Sequence, residues 1–271
     1  PRASDPGLGD DYLSFLGLAS HEYFHSWNVK RIKPAAFVPY DLAQEAYTRQ
    51  LWIFEGITSY YDDLSLSRSG VVPAERVLEV LGRTLTGVLR TPGRNVQSLG
   101  DSSFDAWIKF YRPDKNAPNA GVSYYAKGAI VALALDLTLR RHATSLDALM
   151  RELWAHHGVT GTGVAEDTFA AMASALAGRD LGEFFRRYVD GTDDPPLAAL
   201  LEQHVDRDQE QQQTAGDAER INGDAQVLQQ PGAAERERQQ DAGGDGDRFP
   251  RHVVAPVAVH VRGHGGEHRR H

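Results

Sequence analysis

Two histidines four residues apart, with a glutamate beside the first, carry the strongest chemical signal in this chain: His21-Glu22-Tyr23-Phe24-His25. On a helix, residues four apart project from one face, so two imidazoles at this spacing can reach one ion. The glutamate next to the first histidine then points toward water on that ion. Zinc, one ion per chain, suits the pattern, because it lowers the pKa of its water to roughly 7 and lets a carboxylate act as general base in attack on a carbonyl. The chain contains no cysteine, so any metal must sit on His, Asp or Glu, and a disulfide framework is excluded.

A catalytic zinc takes three protein ligands and keeps one position open. The acidic candidates that follow in sequence are Glu45, Glu55, Asp62 and Asp63. Glu55 stands out as a lone carboxylate inside Trp52-Ile53-Phe54-Glu55-Gly56-Ile57-Thr58. A charge buried there costs several kcal/mol unless it is paired or coordinated, and a metal would neutralise it. The competing reading is a glutamate on the solvent face of an amphipathic helix.

The elements that must hold these residues are helical. Residues 10–29 carry Tyr12, Leu13, Phe15, Leu16, Leu18, Tyr23, Phe24 and Trp27, a density that predicts a largely buried helix ended by the Pro34 and Pro39 region. A second buried helix is expected over 48–66. Pro73 and Glu75 begin an amphipathic surface helix with Val77, Leu78, Leu81, Leu85 and Val88 at helical spacing, stopped by Pro92-Gly93. Residues 91–123, rich in Gly, Pro, Asn, Asp and Ser with embedded aromatics, read as a long structured loop. Residues 129–141 alternate like a strand, but their length and alanine content favour a buried helix. Ser145 looks like an N-cap, and further helices follow, one around Phe169 and Leu176 ending at Gly178 and a shorter one around Phe184 and Tyr188.

From about Asp206 the periodic apolar positions stop and Gln, Arg, Asp, Glu, Gly and Ala dominate. Such a segment cannot bury enough surface to offset its ordering entropy. The expected division is therefore a catalytic domain over 1–205 and a disordered, low-complexity tail over 206–271. Arginine is plentiful but no lysine follows Lys127, which fits a GC-rich genome and suggests an out-of-frame tail; resequencing the locus should then find an intact continuing frame. The formal net charge of -8, without a basic stripe over the first two hundred residues, argues against nucleic acid as a partner. The longest apolar run, 129–135, is too short for a bilayer span, so no membrane insertion is expected. Composition is compatible with either the bacterial cytoplasm or the periplasm.

Three blocks in order, from His21 through Ile32, from Leu51 through Tyr61, and Ser123-Tyr124-Tyr125-Ala126-Lys127-Gly128, resemble the glycyl aminopeptidase family of gluzincin zinc metallopeptidases. The resemblance runs from about Tyr12 to Leu201. It implies a mainly α, thermolysin-like catalytic domain, zinc on His21, His25 and Glu55, Glu22 as general base, and a peptide substrate from which N-terminal residues are released, small ones such as Gly or Ala favoured. It also implies that Tyr125, three residues before the glycine of the Lys127-Gly128 pair, donates its hydroxyl to the tetrahedral oxyanion, the kind of donor such chemistry needs; Tyr124 is the substitute candidate. Members usually carry a β-rich N-terminal domain and a Gly-Gly-Leu-Glu-His-like segment before the zinc helix, and many a C-terminal PDZ domain. His21 comes so early here that the chain reads as N-terminally truncated relative to the family. The alternatives are a catalytically silent zinc-binding or interaction domain, or an inactive truncated product.

Other features read as structural. Lys30, Arg31 and Lys33 resemble a solvated helix end. His156 and His157 resemble surface residues. His264, His268 and His271 form no preorganised site, and Asp193-Asp194-Pro195-Pro196 is a turn.

Overall fold

The computed structural model describes residues 9–207, and within them the chain is mainly α. The only β pairing among the described residues is two isolated bridges, Asn28 with Ile32 and Pro34 with Val164. Among the described residues the helices that follow one another are α1 (Asp10–Phe24), α2 (Ile57–Arg68), α3 (Ala74–Arg90), α4 (Leu99–Phe104), α5 (Ala117–Ala120), α6 (Ala126–Arg140), α7 (Leu146–Leu153), α8 (Thr168–Ala177) and α9 (Gly182–Phe185). A further helical stretch covers 197–207. The expected tail lies outside the described residues except for its first two, which continue that stretch. None of the described helices is long and apolar enough to cross a membrane.

α6 is the central helix. Ala129 through Ala132, Ala134, Leu135, Leu137 and Leu139 are all buried, which explains why periodicity alone left strand and helix in competition: a helix buried on every side has no polar face to report its period. One side of α6 meets α2, α7 and α8 through Leu135, Leu139, Leu146, Leu149, Leu153 and Phe169. Another side packs Ile130, Ala134 and Leu137 on Val88 of α3 and on Leu197 and Leu200. Helix boundaries follow the expected local chemistry. Ser145 accepts from the Ala148 amide at 3.2 Å, and α8 stops at Gly178 in the left-handed conformation, φ 64°.

α1 departs from expectation. Only Leu13 is fully buried along it, whereas Phe15, Leu18 and Tyr23 are exposed. One stripe faces α2: Gly17 beside Asp63, the Ser20 hydroxyl on the Asp62 carbonyl at 2.8 Å, and Phe24 stacked on Tyr61 at 5.0 Å. Leu13 and Leu16 also pack against Val77 and Val80 of α3, and apolar density had suggested burial on more sides than these two neighbours supply. α1 also ends at Phe24 rather than near Val29, because Asn28 turns inward and is fully buried, donating to the Ile53 carbonyl at 2.9 Å and to Thr58 Oγ1 at 3.2 Å. The segment 91–123 is likewise more ordered than a loop, holding α4, α5, a 3-10 turn at Pro92–Asn95 and a π-turn at Ala106–Phe110. Ser98 caps α4 by accepting from the Asp101 amide at 3.0 Å.

Two glycines allow a close main-chain crossing in the core. A Cβ on Gly56, just before α2, would lie 2.6 Å from the Gly128 Cα, and a Cβ on Gly128 of α6 would lie 2.8 Å from the Gly56 Cα. Main chain meets main chain here, so nothing can rotate away. Gly128→Ala is therefore expected to destabilise the fold by about 2–4 kcal/mol, through overpacking that only backbone displacement can relieve. Chemical denaturation would measure it, and an unchanged midpoint would show the crossing to be looser than this.

Candidate metal centre

Three elements bring the site together. α1 supplies His21, and His25, the helical residue that caps its C-terminus, projects from the same face, as their spacing requires. A π-turn, Trp52–Gly56, leads directly into α2 and presents Glu55. Its wider winding changes the direction in which Glu55 projects relative to a continuous α-helix, and such turns recur at functional sites. Trp52, Ile53 and Phe54, before Glu55, and Gly56 and Ile57, after it, are buried, and the Trp52 amide donates to Ser103 Oγ at 3.1 Å. α6 brings Tyr125 at its N-terminal end.

The side chains converge. His21 Nε2 lies 3.1 Å and His25 Nε2 3.2 Å from Glu55 Oε2. All three donor atoms fall within 4.8 Å of one another, the one cluster among the described residues with the make-up of a metal site. For comparison, donors around a tetrahedral zinc with bonds of about 2.0–2.1 Å stand roughly 3.3–3.4 Å apart. The other nitrogen of each ring has its own acceptor: His21 Nδ1 meets Asp62 Oδ2 at 3.0 Å, and His25 Nδ1 meets the Asn28 carbonyl at 2.8 Å. With Nδ1–H donating outward, the Nε2 lone pairs face the shared centre, as metal-ligating histidines require. This donor set fits a zinc ion.

Electrostatics point the same way. Burial works against charge on His21, but the hydrogen bonds and charges of Asp62 and Glu55 outweigh it and raise its pKa to about 9. Burial holds the Asp62 carboxyl above its ordinary value despite the same bond. Glu55 is pulled down, the two imidazoles overcoming its burial. Next to Asp62, Asp63 is raised to about 6 by burial and by its neighbour's charge, with Arg83 opposing. Protons thus occupy a centre where four carboxylates, Glu22, Glu55, Asp62 and Asp63, gather around one cavity, and a divalent cation would take their place.

That open cavity, of about 1290 Å³, is bounded by α1, α2, α3 and the start of α6, and its lining includes Glu22, Tyr125, Lys30 and Arg83. Glu22 is exposed to it and is not one of the converging donors. Tyr125 reaches the cavity while Tyr124 is buried at 1 % exposure, which separates the two candidates that sequence left open. Of the basic run, Lys30 lines the cavity, whereas Arg31 lies over Trp154 at 5.7 Å and Lys33 over Tyr40 at 5.1 Å. His156 pairs with Glu152 at 3.3 Å and His157 Nδ1 meets the Thr162 carbonyl at 3.0 Å, far from the centre in sequence and both in exposed surroundings. Glu45 lies apart, at an outer hollow with Tyr40 and Trp107. His264, His268 and His271 lie outside the described residues.

Sequence reasoning had placed Asp62 only among possible ligands; the structure makes it the group that orients His21. Its spacing of seven from Glu55, two helical turns on one face, was the available signal. Asp62→Asn is expected to weaken zinc binding by about 10–100-fold while the metal still binds. Competition with a chromophoric chelator would measure the change, and unaltered affinity would remove Asp62 from the ligand support.

The model of the M61 glycyl aminopeptidase family matches residues 14–131, a span that includes both histidines, Glu22, Glu55 and Tyr125. The crystal structure of an aminopeptidase N family protein from Idiomarina loihiensis superposes with a TM-score of 0.70 at 46% sequence identity, over 74% of this chain and 35% of that one. The chain thus spans about a third of the length of that protein. No curated protein matches it.

Proposed function

We propose, from the premise that this chain belongs to the M61 glycyl aminopeptidase family of peptidases, that it is the core of a zinc-dependent aminopeptidase releasing small N-terminal residues such as Gly or Ala. The observation that carries the reading is the convergence of His21 Nε2, His25 Nε2 and Glu55 Oε2, with a separate acceptor on each Nδ1 and Glu22 left over beside them.

His21, His25 and Glu55 would hold the zinc, which supplies Lewis acidity toward water and the scissile carbonyl. Glu22 takes the proton of the attacking water and returns it to the leaving amine. Tyr125 donates its hydroxyl to the oxygen that gains charge. Burial and the charge of Glu55 both raise the Tyr125 pKa, which keeps it a phenol, and so a donor, across the working pH range.

The test is hydrolysis of glycyl and alanyl arylamides by the purified, zinc-loaded chain. Activity should vanish on chelation and return with zinc. Stoichiometric zinc without any hydrolysis would overturn the reading and leave a metal-binding domain without turnover.

A further inference from the structure

Tyr125 does not stand alone. Its hydroxyl lies 3.2 Å from that of Tyr111, and the Tyr124 hydroxyl donates to the same Tyr111 oxygen at 3.3 Å. Tyr111 follows the π-turn Ala106–Phe110, inside the segment that sequence had suggested to be a loop, and no motif singled it out. The rings stack as a group: Tyr124 on Tyr125 at 4.6 Å, and Phe110 at 4.9 Å from Tyr124 and 5.7 Å from Tyr125.

We propose that Tyr111 is a positioning residue that turns the Tyr125 hydroxyl proton toward the reacting carbonyl, through a directed chain of hydroxyls running from Tyr124 to Tyr111 to Tyr125. This rests on the reading of Tyr125 as oxyanion donor given above. Each phenol has one proton to give and an oxygen that can accept. Tyr124 is buried, so its proton goes to Tyr111. Either hydroxyl of the Tyr111–Tyr125 pair can be the donor; when Tyr111 gives its proton to the Tyr125 oxygen, the Tyr125 proton is left to point into the cavity that Tyr125 lines.

The opposite polarity, in which Tyr125 donates to Tyr111 and Tyr111 donates to water, is open in the resting enzyme because Tyr111 is 58 % exposed. Charge developing on the substrate oxygen selects the forward polarity, since only that one presents a donor to it. Each bond in such a chain polarises the next, so Tyr125 becomes a stronger donor than an isolated phenol. Burial and the neighbouring hydroxyls raise the Tyr124 pKa, which keeps the head of the chain protonated.

Exposure of Tyr111 makes the test clean, because removing its hydroxyl leaves the core untouched. In the zinc-loaded chain, Tyr111→Phe should lower kcat by about 10-fold, the scale of one good hydrogen bond, with KM within about twofold. It should weaken a phosphinic pseudodipeptide, whose tetrahedral oxygens mimic the charged intermediate, by a similar factor in calorimetry. The double variant Tyr111→Phe/Tyr125→Phe should be no worse than Tyr125→Phe alone. Wild-type kcat and phosphinate affinity in Tyr111→Phe, beside an impaired Tyr125→Phe, would overturn the relay and leave Tyr125 standing. Multiplying defects in the double variant would also overturn it, since Tyr111 would then act independently. A fully active Tyr125→Phe would instead remove the oxyanion donor itself, and the relay with it.

Discussion

Glu22→Gln is expected to lower turnover by about 10²–10⁴-fold, the range a positioned general base contributes, while zinc content stays at one ion per chain. The substitution keeps the shape of the side chain and removes only its ability to accept a proton. Glu22 is exposed to the cavity and is not one of the three converging donors, so the ligand set survives. kcat on a glycyl arylamide, read beside metal content by atomic absorption, separates the two properties. Unchanged turnover would take Glu22 out of the mechanism, and lost zinc would make it a ligand.

Glu55→Gln should have the converse signature. The carboxylate oxygen that both Nε2 atoms approach is the one negative ligand of the set. An amide of the same shape brings no charge, and its NH₂ end cannot bind a cation. Zinc affinity is expected to fall by more than about 100-fold, beyond the usual loss when only an outer partner is changed. The fold should remain, because the π-turn is held by the buried neighbours Trp52, Ile53 and Phe54 rather than by Glu55 itself. In the metal-free protein, NMR titration should also find His21 below the value of about 9 that it has with both carboxylates present, since one acceptor for its proton is gone. Retained stoichiometric zinc with unaltered affinity would move the third ligand elsewhere.

How much of this was legible in the chain depends on the range of the interaction. Local features could be read directly: the paired histidines, the Ser145 cap, the Gly178 stop and the amphipathic period of α3 all depend on residues within a turn or two. Glu55 could be read because a lone charge in an apolar run demands a partner. What could not be read was long-range. Nothing near Asp62 says that its oxygen meets a ring 41 residues earlier. The outer face of α1 was mistaken because apolar density reports a tendency to be covered, not whether a neighbour is there. The π-turn at Glu55 differs from an α-turn by one hydrogen-bond register, a difference that side-chain spacing does not encode. Tyr111 was hidden by its exposed setting and by a segment whose Gly and Pro content masked its short helices.

The crossing of Gly56 and Gly128 has a consequence for how such a site could change over time. Glu55 stands one residue before the first glycine and Tyr125 three residues before the second, so the carboxylate and the phenol are both hung from a common point of main-chain contact. Side chains around them can be exchanged without altering that reference. The cavity wall contributed by α3 is under no such restriction. Selection could therefore reshape what the cavity admits while Glu55 and Tyr125 keep their mutual register, and the crossing gives a physical reason for a glycine in the Tyr-x-x-Gly spacing: it is the bearing on which Tyr125 is aligned to Glu55.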